Sequence, residues 1–227
     1  MKKIYLALIA AAVLTAIQAT AIPVTVTQPS PGYGGGHGGG EFNIKPNFTG
    51  VTYGADVAIF GGFETFCVQA NIDIVVPGTY NATLGQADLS GNALTKGTAY
   101  LYQLFALENP LLGYNYVAGA GRTTSANDLQ QALWILQGQG GPNVVAQTAG
   151  TSADIALAVA RFGSLANAMT ANTNLLSVSI VQLTDARGVP VQNMLTLIPS
   201  VPDGGSALIM MGMGLSSLAL FARKFRA

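Results

Sequence analysis

The chain has 227 residues, with ten basic and ten acidic side chains, one histidine and one cysteine. Charge is sparse and no basic stripe forms, which excludes nucleic acid as a partner. One histidine leaves no usable imidazole for Ser-His-Asp or Cys-His catalysis, and one cysteine has no disulfide partner within the chain.

The chain opens MKKIYLALIAAAVLTAIQATA. Lys2 and Lys3 form a positive start, Ile4 to Ile17 is apolar, and Ala19-Thr20-Ala21 offers small residues for cleavage. Residues 1–21 therefore read as a secretory signal peptide. Residues 22–44 read as a Gly-rich flexible linker around PGYGGGHGGGE, Pro31 to Glu41. His37 lies in that run with no Cys or second His nearby, so neither a metal site nor a cofactor is expected. From 22 to 202 there are five basic and nine acidic residues, a net charge near −4.

Residues 45–200 read as one α+β domain, strands first, a helical middle, then a closing hairpin. Val51 to Phe60 and Phe63 to Val68 are apolar and aromatic around a Gly61-Gly62 turn, and read as strands. Ile72 to Val76 and Tyr80 to Leu84 read as two more. Thr95 to Leu107 carries Leu101, Leu104 and Phe105 at helical spacing. Pro110 to Gly121 reads as a loop. Ser125 predicts a helix start with Asp128 in its first turn, and the helix runs Ala126 to Gln137 before Gly138. Ser152 and Asp154 predict the cap of a helix to Ala171. Leu175 to Thr184 and Val191 to Ile198 read as strands around Asp185 to Gly188.

The C-terminus carries Val201-Pro202-Asp203-Gly204-Gly205, an uncharged run from Ser206 to Ala222, and then Arg223, Lys224 and Arg226. The run is just long enough to span a membrane, and the basic cluster holds its end in the cytoplasm. This three-part tail, 201–227, resembles the VPDSG-CTERM variant of the PEP-CTERM sorting signals, with Gly204 in place of the usual Ser. The resemblance implies an exosortase as processing partner. It also implies an inner-membrane-anchored intermediate and final delivery to the cell surface or extracellular matrix of a Gram-negative-type bacterium.

Cys67 lies in GGFETFCVQA, Gly61 to Ala70, and a second motif, LQQALW, runs from Leu129 to Trp134. Phe66-Cys67 followed by Leu129-Gln130-x-x-Leu133-Trp134 resembles the two signatures of bacterial surface thioester domains. The resemblance implies a thioester between Cys67 and Gln130, with Phe66, Leu133 and Trp134 walling it from water. It implies a thioester-domain-like fold and covalent attachment to amine-bearing partners, a surface protein or polysaccharide, without enzymatic turnover. Gln131 and Gln69 are the competing amides. The alternative is a structural component of the envelope or exopolysaccharide matrix whose Cys67 is packing. A hydrolase ranks last, because Glu64 has no second carboxylate that sequence can pair with it.

Overall fold

The computed structural model describes residues 21–29, 39–173 and 175–199. The expected signal peptide, most of the glycine run with His37, and the sorting signal from Val201 to Gly205 with Arg223, Lys224 and Arg226 lie outside these residues.

Six strands form one antiparallel sheet in the order β3-β2-β1-β4-β5-β6. They are β1 (Ile22–Thr27), β2 (Phe42–Lys45), β3 (Phe63–Thr65), β4 (Gly78–Gly85), β5 (Val178–Thr184) and β6 (Met194–Leu197). Period-two alternation sets their faces: Val24 and Val26 of β1 and Tyr80 and Ala82 of β4 are buried, with more exposed neighbours between them. The two edge strands then meet. Cys67, just past β3, bridges to Met194, Val68 N–H donates to Asn193 O at 2.9 Å, and Leu195 N–H donates to Phe66 O at 3.3 Å. The sheet is thereby nearly barrel-shaped, with its two edges joined where the chain leaves β3.

Between β4 and β5 the chain leaves the sheet and builds a helical layer. Its helices are α1 (Lys96–Ala106), α2 (Ala120–Leu136), α3 (Ala149–Phe162) and the single turn α4 (Leu165–Ala168), with a 3-10 turn at Pro110–Leu112. Thr95 caps α1 by accepting from Thr98 N, and Thr148 caps α3 by accepting from Thr151 N. α1 lies against the sheet and against α2 and α3. Phe66 of the barrel meets Phe105 of α1 edge-on, with ring centroids 4.9 Å apart. Such pairs add about 0.5–1.5 kcal/mol to the burial of their area.

The α+β reading, with strands flanking a helical middle, holds. Several boundaries differ. Ile22–Thr27, placed by composition in the linker, is strand β1, flanked by β2 and β4. Val51 to Phe60 is irregular, not a strand: it runs through turns that bury Tyr53 and Val57 and leave Phe60 exposed, with Gly54 N–H donating to Ala106 O at 2.9 Å. Ile72 to Val76 is also irregular and largely exposed. α2 begins six residues before the expected Ala126, at Ala120, and Ser125 lies inside it, accepting from Asn115 N at 3.2 Å. α3 is capped by Thr148 rather than by Ser152 and Asp154, and Gly163, at φ 83°, ends it before Ala171.

Candidate functional site

Cys67 comes from the barrel seam and Gln130 from the middle of α2, and the fold brings them together. Both are buried, with 2% and 1% exposure. The Gln130 side-chain amide spans the cysteine's backbone: Nε2 donates to Cys67 O at 2.9 Å, and Oε1 accepts from Cys67 N at 3.0 Å. Oε1 also accepts from Gly40 N at 3.3 Å. Two backbone N–H groups thus converge on one amide oxygen, the donor arrangement that stabilises a developing oxyanion.

The competing amides are held elsewhere. Gln131 donates to Asn143 O at 3.0 Å and accepts from Val145 N at 3.1 Å. Gln69 accepts from Asn193 N and Nδ2 at 3.1 and 2.8 Å and donates to Asp88 at 3.3 Å. A buried amide that sequence reasoning missed lies at the same seam: Gln192 Nε2 donates to Gln69 O at 2.7 Å, two residues past Cys67. Nothing in its local sequence marks it, because only the seam between β3 and β6 brings the two together.

Trp134 lies one turn beyond Gln130, 2% exposed, and its Nε1 has no hydrogen-bond partner among the described residues. Gly39 closes over both. A Cβ there would fall 2.5 Å from Gln130 Cγ and 2.8 Å from Trp134 Cη2, so only glycine fits beside the pair. Leu133 is fully buried, and its carbonyl accepts from the Thr98 hydroxyl at 3.2 Å. Phe66 faces Phe105 of α1 and, adjacent to Cys67 on extended backbone, points to the other side of the chain. Burial pushes the Cys67 thiol up to about 12, so it is protonated at neutral pH.

A buried ionic cluster aligns the two halves of the site. Arg122 of α2 lies between Glu41 at the head of β2 and Glu64 of β3, three residues before Cys67. Its Nε donates to Glu41 at 3.0 and 3.1 Å, and its Nη2 donates to Glu41 at 2.9 Å and also to Glu64. Tyr114 donates its hydroxyl to Glu41. Burial, and then the Glu41 carboxylate beside it, push the Glu64 carboxyl up to about 9. The surroundings of Glu64 therefore favour its protonated form. The carboxylate partner that sequence could not assign to Glu64 is Glu41. Both are fully buried and share one guanidinium, so this acid pair has no face open to a sugar. Its role is positional: it fixes α2 to β2 and β3, and so Gln130 to Cys67.

Among the described residues no cluster of three or more His, Cys, Asp or Glu could hold a metal, and no helix is long and apolar enough to cross a membrane. No protein-family model matches the chain, and no curated protein or solved structure is similar enough to count as a match.

Proposed function

We propose that this chain is an exported surface protein whose thioester-domain-like body closes a bond between Cys67 and Gln130 and attaches covalently to amine-bearing partners. The observation that carries the reading is the Gln130 amide, gripped on both sides by the backbone of Cys67 with two N–H donors on its oxygen. In the step proposed, Cys67 sulfur attacks the Gln130 amide carbon. The amide nitrogen leaves as ammonia, taking the thiol proton, and a thioester remains. A partner's primary amine later attacks the same carbon, forms an amide and returns the free thiol. Proximity supplies most of the drive for so poor an electrophile, and the dry site protects the product from hydrolysis. Export and exosortase sorting rest on the two terminal sequence patterns.

A second reading is favoured by a different observation. A protonated, fully buried thiol and an amide that satisfies three buried backbone groups also describe a packed joint between barrel and helix. On that reading the protein is a structural component of the envelope or matrix.

The intact mass of the folded chain separates the two. The thioester reading expects a mass short by one ammonia, and a methylamine adduct that is lost in Cys67→Ala and in Gln130→Ala. A full mass, with a thiol that alkylates only on unfolding, sinks covalent attachment and leaves the structural reading.

A further inference from the structure

Asp154 is a carboxylic acid without a partner among the described residues. It lies on the inner face of α3 and is 8% exposed. Among the described residues, none of the ion pairs involves it and no donor is within hydrogen-bond reach. Its carboxyl oxygens stay open to the cavity beside it, whereas most buried carboxylates are paired.

The side chain lines a cavity of about 270 Å³ between the 112–114 loop and helices α2 and α3. Asp128 of α2 stands on the same wall. Unlike Asp154, Asp128 is compensated: the Thr148 hydroxyl donates to it at 2.6 Å, and it faces the first turn of α3, where a Cβ on Gly150 would fall 2.0 Å from its Oδ2. Leu112 and Tyr114 supply apolar and aromatic lining, and exposed Ala153 sits at the mouth. Burial, and then the charge of Asp128, push the Asp154 carboxyl up to about 7.

We propose that this cavity is a binding site for a primary ammonium on a short aliphatic stem, such as a lysine side chain of a partner, with Asp154 as the receiving carboxylate. The ammonium supplies the donors that Asp154 lacks, Asp128 adds a second negative charge, and the Leu112–Tyr114 wall takes the methylenes. A hard metal ion fits less well. Calcium takes six to eight oxygen ligands, and no third carboxylate joins these two among the described residues. The site is separate from the Cys67 pair. Asp128 and Gln130 are two positions apart on α2, and one faces α3 while the other faces the barrel. The proposal therefore stands whether or not a thioester forms.

The test uses the full chain carrying Cys67→Ala, which removes covalent capture, and titrates n-butylammonium by calorimetry. Saturable one-to-one binding is expected, and butanol, its neutral counterpart, should not bind. Asp154→Asn should weaken butylammonium at least about tenfold, since it removes a charge-assisted contact. Ala153→Leu should weaken it as well, by covering the mouth without touching the carboxylates. Asp154→Asn removes a buried charge and should melt no lower than its parent. If it fails to fold, Ala153→Leu decides alone. No saturable binding, equal binding of butanol, undiminished binding by the folded variants, or calcium saturating the site in place of butylammonium each overturns the proposal.

Discussion

Thr65 and Leu195, 130 residues apart, are joined twice through one hydroxyl. Thr65 Oγ1 donates to Leu195 O at 2.5 Å and accepts from Leu195 N at 3.0 Å. This is where β3 meets β6, two residues before Cys67. Thr65→Val keeps the shape but leaves both groups of Leu195 without the hydroxyl. A loss of about 1–3 kcal/mol is expected in urea unfolding, with Thr65→Ser close to wild type. Equal stability of the Val and Ser variants would show that the seam does not depend on this hydroxyl.

Gln130 and Gln131 should behave differently although they are neighbours on one helix. Gln130→Ala leaves Cys67 N–H, Cys67 C=O and Gly40 N–H without their partner in a buried site. Each such group costs about 1–3 kcal/mol, so the expected loss is at least about 2 kcal/mol. Gln131→Ala detaches only the partly buried 143–145 segment and should cost less. Chemical denaturation of the two variants, side by side, checks the order.

Gly39→Ala tests the roof of the site. The added methyl collides with Gln130 and Trp134, and overpacking of this kind costs about 1–3 kcal/mol. If a thioester forms, the same substitution should lower the methylamine-reactive fraction, because the displaced amide no longer sits over Cys67. Gly140→Ala meets nothing within 4 Å at an ordinary backbone angle and is the matched control. A thermal melt and an intact mass on both variants read the two effects.

The Glu41–Glu64 pair predicts a pH dependence with a definite sign. Glu64 holds its proton up to about 9 in the folded protein, above its ordinary value of 4.5. A raised carboxyl contributes stability that is complete below pH about 4.5 and is lost as pH climbs towards 9. Glu64→Gln mimics the neutral acid. It should match wild type near pH 4 and exceed it at pH 9 in urea titrations. Glu41→Gln should instead destabilise by about 3–5 kcal/mol at neutral pH, since it strips the buried guanidinium of its carboxylate. A wild-type advantage over Glu64→Gln that grows with pH would reverse the assignment.

Sequence reading succeeded where the signal was local. The helical spacing of Leu101, Leu104 and Phe105 placed α1 within Thr95 to Leu107, and the Tyr80 to Leu84 alternation lies within β4. It failed where the partner is distant. β1 sits beside a glycine run that hid it, and its registers with Lys45 and Thr79 cannot be read from either side alone. Val51 to Phe60 is apolar enough for a strand, yet its backbone turns on itself and onto α1, with Ala58 N–H donating to Gly54 O and Gly54 N–H to Ala106 O. The pairing of Cys67 with Gln130 came from motif resemblance. The place of Gln192 at the seam and the Glu41 partner of Glu64 did not, because a sheet seam and a helix docking create them.

The helical layer is an insertion between two neighbouring strands, and this has a consequence in time. Cys67 belongs to the barrel and Gln130 to the insertion, so neither half contains the site. On the proposed export route, a chain translocated in extended form would carry a plain thiol and a plain amide, harmless to the amines it passes. Reactivity, on the thioester reading, arises only when the two layers dock and Arg122 takes up Glu41 and Glu64. On that proposal, completed folding is the trigger that arms the protein, at its destination and not along the route.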